Sequence, residues 1–526
     1  MLFRSYSNGN LDATRASGSQ GGVTNTIGMS SGKWYWEVVF STYVYNIGIT
    51  TSPAGSTSSG EGIAGYNNGG GTSIGLQPNG VLRTNGTAGS TYTSWTTGDV
   101  MGIALDMDNG NLYFCKNGTV MNSGSPVATS LTGSTWFFIT SLESGGSLVA
   151  NFGQRPFAYT APSGYKALCT QNLPTPTIGA TSTTTANKYF SAVLYTGNGY
   201  PTSGTQSITG IGFQPDFVWI KDRSRAGYNH FLQDAIRGST KVLRSNTTDA
   251  ENTEASAVTS FDSNGFSLGA NNEVNYQNDS FVSWNWNADG SNATNTSGTI
   301  TSTVRANTTA GFSVVTYTGT GVAGTVGHGL GVAPSMVIVK TRSLAGENWQ
   351  VYHKNMAASP QTNQLLLNST AAVQAATVWN STAPTSSVFS ISSGSPVGSN
   401  SATYVAYCFA AVAGYSAFGS YTGNGNADGP FVYTGFRPKY VLVKRTDSTG
   451  SWYVWDTARN TYNLMTQVLF PNLSNAESTY ASPNPVIDSV SNGFKLRGDY
   501  PEVNASSGTF IYMAFAEVPQ KFSLAR

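Results

Sequence analysis

One spacing recurs three times in this chain and limits its possible folds more than any other feature. It reads Gly212-x-x-Pro215-x-x-Val218-x-x-Lys221, then Gly331-x-x-Pro334-x-x-Val337-x-x-Lys340, then Gly435-x-x-Pro438-x-x-Val441-x-x-Lys444. A pattern repeated at such separation marks a chain built from copies of one structural unit. A similar segment opens each unit: Phe190 to Gly197, Phe312 to Gly319, and the shorter Phe418 to Gly423. An aromatic segment closes each: Phe281 to Trp286, Tyr404 to Phe409, and Phe510 to Phe515. Proline has no N–H for a central ladder, so it marks the start of a strand. The Val-x-x-Lys run is short and mostly apolar, as suits a strand covered on both faces. The closing segments alternate large rings with smaller residues, the period of a strand with one face in a core. Each unit is therefore expected to be a β-sandwich, the three strung along the chain. Helical character is expected only in Asn229 to Arg244 and Met356 to Leu367.

Composition agrees with an all-β class. Charged residues make up 10% and aromatic residues 12%, against a usual charged share of about 25%. Many aromatics with little charge exclude disorder for the bulk of the chain. Two stretches poor in large apolar residues read as linkers, 166–187 and 291–310. They divide the 526 residues into an N-terminal block, 1–165, and three β repeats, 188–290, 311–412 and 413–526.

The N-terminal block is also strand-rich. Lys33 to Phe40 is a strong β run, with Asn46 to Ile49 as its expected partner. Asp99 to Asp106 and Leu112 to Gly118 are expected to pair around a turn at Asp108-Asn109-Gly110-Asn111. On these segments the block resembles the SPRY (B30.2) domain, a bent β-sandwich interaction module. The matching pieces are Gly32 to Val38, Ile47-Gly48-Ile49, Gly98 to Asp106, Phe114 to Gly118, and Val149 to Gly153. The resemblance implies a binding role. It names no partner, because the binding loops of this family vary.

The repeats resemble those of tailed-bacteriophage virion proteins, and Ala514 to Arg526 resembles a terminus typical of that group. That resemblance implies a tail fibre or spike that attaches to the host surface. The alternatives are a capsid-surface fibre or decoration protein, a polysaccharide-degrading tailspike, and a SPRY-type protein-binding adaptor. The expected partners are other virion proteins, a host glycan or protein, and further copies of the chain as a homotrimer. Location on a virion, after synthesis in the host cytoplasm, follows from the same resemblance. The residues that would touch a receptor are not legible.

Other partner classes find no support. Net charge is +1 and Lys and Arg are nowhere concentrated, so no nucleic-acid footprint is expected. No run of 18 apolar residues suggests a spanning helix, and the start of the chain lacks a signal-peptide core. Cys115, Cys169 and Cys408 are too far apart for a disulfide framework or a zinc site and point to a reducing compartment of synthesis.

Four motifs carry a chemical alternative, and each has a structural reading that explains it better. Gly28-Met29-Ser30-Ser31-Gly32 matches a nucleophile elbow, but a β-rich run follows where a helix is required. A triad would need His230, His328 or His353, and none recurs at the equivalent place in another repeat. Gly319 to Gly324 matches a dinucleotide fingerprint without the helix that must follow it. Asp106 to Asn111 suggests a calcium loop, yet the twelfth position is Asn117 rather than Glu. Asp216, Asp222, Asp234 and Asp456 are the candidate carboxylates for glycan hydrolysis, and they are scattered. Within that set, Asp234 with Arg237 and Asp456 with Arg459 read as structural loop contacts. No catalytic, cofactor or metal residue is expected, nor any enzymatic activity.

Overall fold

The computed structural model describes residues 4–7, 12–15, 21–42, 45–51, 63–66, 71–173, 178–179 and 185–517. The chain start, most of the 166–187 linker beyond residue 173, and the terminus from 518 onward lie outside these. The described residues form two compact units, one reaching residue 173 and one running from 178 to 517.

The first unit is a two-sheet sandwich. Its larger sheet centres on Lys33–Thr42, flanked by Ser147–Asn151 on one side and Val100–Asp106 on the other. Asn111–Lys116 pairs with Val100–Asp106 through the expected hairpin, Asp106 opposite Asn111. The second sheet runs Gly21–Thr24, Phe137–Leu142, Ile47–Thr50, Ser73–Leu76, Val81–Thr84, Thr87–Thr91. Ile47–Thr50 is therefore not the ladder partner of Lys33–Thr42, as expected from their proximity in sequence. It lies in the opposite sheet, where Ile47 and Ile49 join Trp34, Trp36, Val38 and Phe40 in one core. Gly48 fits there because a Cβ would stand 1.9 Å from the Ile74 carbonyl oxygen.

The second unit holds the three repeats, each built on the same sheet order. In the first repeat the opening strand Phe190–Thr196 pairs with the closing strand Ser280–Trp286. The closing strand pairs in turn with the signature strand Phe217–Asp222, and that with Phe231–Asp234. The second repeat orders Phe312–Thr318, Thr403–Phe409, Met336–Thr341 and Gln350–His353 in the same way. The third orders Ser416–Thr422, Thr509–Ala516, Pro438–Arg445 and Trp452–Asp456. Two or three short strands lie in a second small sheet of each repeat. The fold is all-β, a SPRY-like sandwich followed by three sandwich-like repeats.

Details of the repeat coincide down to single atoms. Tyr195, Tyr317 and Tyr421 each donate a hydroxyl hydrogen bond, to the carbonyls of Val274, Val397 and Val503. Each of these rings stacks on a closing-strand ring, Phe281, Tyr404 or Phe510, at 4.9–5.0 Å. One correction concerns the third copy. Phe190 and Phe312 stand opposite Trp286 and Phe409, but the residue opposite Phe515 is Ser416, not Phe418. Phe418 sits two residues further along and packs on Phe409 and Phe515.

The repeats share one core rather than standing as separate sandwiches. Trp286, Phe409 and Phe515, at equivalent places near the ends of the three closing strands, meet pairwise at 5.9–6.2 Å. Around this triangle one apolar cluster gathers buried residues of all three repeats, and the first repeat keeps a second cluster of its own around Phe231, Phe266 and Phe281. Two other expectations change. The 291–310 stretch is not a bare linker, since Ala293–Asn295 and Ser302–Asn307 extend the second repeat's sheet. The two segments of expected helical character hold strands and turns, with one 3-10 turn, Pro360–Thr362, in the second. Phe231–Asp234 and Asn363–Leu366 pair with strands, and tertiary pairing overrides their local preference. Among the described residues the α-helix is a single turn, Pro501–Asn504.

Candidate binding surfaces

Three seams join the repeats, and every seam reuses the same backbone contacts. The N–H groups of Glu251, Val373 and Glu477 donate to the carbonyls of Arg342, Thr446 and Arg223. Those of Gly346, Gly450 and Gly227 donate to Thr248, Thr370 and Ser474. The second repeat thus docks on the first, the third on the second, and the first on the third. The succession closes on itself as a ring with approximate three-fold symmetry.

Two of the signature lysines, Lys340 and Lys444, reach across these seams, and Lys221 holds the matching strand position in the first repeat. Lys221, Lys340 and Lys444 are fully buried and each is the next-to-last residue of its strand. Lys340 Nζ donates to the carbonyls of Thr248 and Glu347, and Lys444 Nζ to those of Thr370 and Gly450. Lys221 Nζ donates to the Asp222 carbonyl. Burial pulls each ammonium down to about 8.

The aspartates considered for hydrolysis are engaged in the same scaffold. Asp234 binds Arg237 and accepts a hydrogen bond from the Tyr407 hydroxyl of the second repeat at 2.9 Å. Asp456 binds Arg459 and accepts from Trp284 Nε1 of the first repeat at 3.1 Å. The equivalent place in the second repeat is His353, whose Nε2 lies 3.2 Å from the Tyr512 carbonyl of the third. Asp216 binds Arg305, and Asp222 caps a turn by accepting from the Ser224 and Arg225 N–H groups. Burial lifts the Asp222 carboxyl to about 6.

The three histidines have both ring nitrogens occupied. His230 accepts from Trp219 Nε1 and faces the Phe470 carbonyl, and His328 accepts from the Leu330 N–H and faces the Thr385 carbonyl. His353 also accepts from the Asn355 N–H. Burial depresses all three, His353 to about 3, so they are neutral.

The remaining motifs are turns. Ser30 and Ser31 are exposed and lead directly into Lys33–Thr42. Gly324–Gly327, after the fingerprint glycines, is a strand. Asp106 accepts from the N–H groups of Asp108 and Asn109, the Asn109 amide and Lys33, while Gly110 takes a φ of +69°. Among the described residues no three metal-ligating side chains gather.

What is left for recognition is aromatic and lies in loops. All eleven tryptophans are buried, so exposed stacking rings come from tyrosine. Tyr462 is 85% exposed, on a loop braced by Asn460, which accepts from the Thr466 and Gln467 N–H groups, and by Asn463 on Ser489. Tyr200 is 40% exposed and lies 5.4 Å from Tyr276, over which the Arg225 guanidinium sits at 3.3 Å. Asp279 pairs with the same arginine at 2.5 Å. The sequence did not single out these tyrosines, because strand-period rings and loop rings look alike until burial separates them.

Comparison with known families matches residues 33–155 to the SPRY domain and residues 185–519 to a domain of unknown function, DUF7483. Among solved structures, the SPRY domain of human HERC1 is 18% identical and aligns over 29% of this chain and 94% of its own length, with a TM-score of 0.24. The TRIM65 PSpry domain is 17% identical over 28% of this chain and 84% of its own, with a TM-score of 0.22. Stonustoxin is 22% identical over 28% of this chain and 25% of its own, also at 0.22.

Proposed function

Because the chain belongs to the DUF7483 family and carries a SPRY domain ahead of the matched region, we propose that it is a non-enzymatic binding protein of a virion surface. In this reading it is a tail fibre or spike component, or a capsid-surface fibre, that attaches to a host glycan or protein. The observation that carries it is the SPRY match, which supports a protein-binding role. The resemblance of the repeats to phage structural proteins supplies the virion. A surface with few charges suits attachment in media of variable ionic strength, since it does not depend on screened ion pairs. The exposed Tyr200 and Tyr462 rings offer flat faces for a sugar or a receptor loop.

Assembly is proposed through other virion proteins. The apolar faces that the repeats would bring to a homotrimer are engaged within one chain, so self-association would have to use other surfaces.

The test is imaging of negatively stained particles with an antibody to this chain. Labelling of a tail or capsid surface is the expected result, and particles free of label contradict the virion reading. Incubation with host surface polysaccharide separates attachment from degradation. No release of reducing ends is expected, and their release would refute the non-enzymatic reading.

A further inference from the structure

The opening strands of the three repeats share a fold position but not the same neighbour on their outer edge. In the second repeat Ser302–Asn307 covers that edge, antiparallel to Phe312–Thr318, with Val304 opposite Val315 and Thr303 opposite Thr316. In the first and third repeats, Phe190–Thr196 and Ser416–Thr422 are the outermost strands of their sheets among the described residues. We propose that these two edges are docking sites for an extended strand of a partner protein, added antiparallel to the sheet as Ser302–Asn307 is added in the second repeat.

Three observations carry this. First, the same edge of the same fold already holds a strand once in this molecule, so its geometry accepts one. Second, neither open edge has the devices that natural proteins use to blunt an exposed strand: neither contains Lys, Asp, Glu or Pro. Third, the first edge exposes an apolar side chain, Leu194 at 39%, beside the half-buried Val193 and Tyr195 and the exposed Thr196. The site has defined limits. The Ser191 carbonyl takes the Asn285 amide and the Thr196 carbonyl the Gln206 amide, leaving the stretch between them without such donors. Main-chain hydrogen bonds would supply the affinity of such an addition and alternate side chains its selectivity. The covering strand, Ser-Thr-Val-Arg-Ala-Asn, defines the chemistry of the occupant: short, free of acidic residues, with one Arg among small polar and apolar side chains.

The test uses the full chain and a synthetic peptide with the sequence of residues 299–308, Thr-Ile-Thr-Ser-Thr-Val-Arg-Ala-Asn-Thr. Hydrogen exchange of residues 192–195 and 417–422 is followed with the peptide at millimolar concentration and with a scrambled control. Slowing of about fivefold or more at these two edges, with none in Phe312–Thr318, is expected. Leu194→Lys, which places a charge at the edge without disturbing the core, should abolish the slowing in the first repeat and leave the third unchanged. No slowing at either edge overturns the proposal. So does strong protection before peptide is added, because it would mean that another part of the chain or a second copy already occupies the edge.

Discussion

Two of the three seams in the ring are clasped by charge and the third is not. Where the second repeat meets the first, Arg342 grips Glu251 with both arms, and Glu251 also binds the buried Arg237. Where the first meets the third, Arg223 grips Glu477 in the same way, and Glu477 also binds the buried Arg459. Where the third meets the second, Thr446 and Val373 occupy the corresponding places. The backbone contacts are nevertheless the same at all three. The difference teaches that the shared core and the main-chain bonds set the docking geometry, while the Arg–Glu clasp is an addition that two seams carry. The Trp349 and Trp452 indoles support this division. They donate to the equivalent carbonyls of Arg244 and Leu366 at 2.9 and 3.0 Å, one at a clasped seam and one at the unclasped seam.

The largest effect should come from the point all seams share. Trp286→Ala removes the ring that touches both Phe409 and Phe515, and should destabilise the second unit by about 3–5 kcal/mol in denaturant unfolding. Glu477→Gln should cost about 2 kcal/mol, because it removes the charge that holds Arg223 and one of the two carboxylates on the fully buried Arg459, which keeps Asp456. Val373→Ala, at the corresponding place in the unclasped seam, should cost no more than about 1.5 kcal/mol. Equal losses for these two variants would erase the distinction between the seams.

A pH dependence sharpens the comparison, because Lys340 lies at a clasped seam and Lys444 at the unclasped one, with Lys221 at the matching strand position. Each has a folded pKa of about 8, below its ordinary 10.5, so between these values the unfolded chain binds more protons than the folded one. Stability of the second unit should therefore rise with pH across that window, by up to about 1.4 kcal/mol per pH unit for each lysine. Above pH 10 the buried tyrosines reverse the trend, since burial raises Tyr317 and Tyr421 well above 10 and unfolding would release their protons. Thermal melts from pH 7.5 to 9.5 check the sign. A Lys444→Met variant should flatten the rise by about a third. The smallest effect is expected in the first unit, where Lys33→Gln removes the partly exposed partner of Asp106 and leaves its turn hydrogen bonds in place, and should cost at most about 1 kcal/mol.

Much of this organisation was legible in the sequence. The Gly-x-x-Pro-x-x-Val-x-x-Lys spacing marked the signature strands, and the SPRY segments marked the first sandwich, because both are local patterns. The Asp–Arg loop contacts were legible for the same reason, three residues separating the partners. Closure of the ring was not. It depends on pairs such as Arg223 with Glu477, 254 residues apart, and on the coincidence of three closing-strand rings. The pairing of Asn46 to Ile49 with Lys33 to Phe40 that the sequence suggests does not form, because a strand's alternation says which residues face a core and not which strand lies beside it. The 291–310 stretch lacked large apolar residues because its strands sit on a sheet edge, where a Ser/Thr-rich strand suffices.

The claim that three repeats form one closed structure is tested most directly by hydrogen exchange of the full chain at increasing denaturant. Phe217–Asp222, Met336–Thr341 and Pro438–Arg445 should lose protection together, at one denaturant concentration and with one free energy. If one of these strands opens in a separate step while the other two stay protected, the repeats are independent domains and the closed ring is wrong.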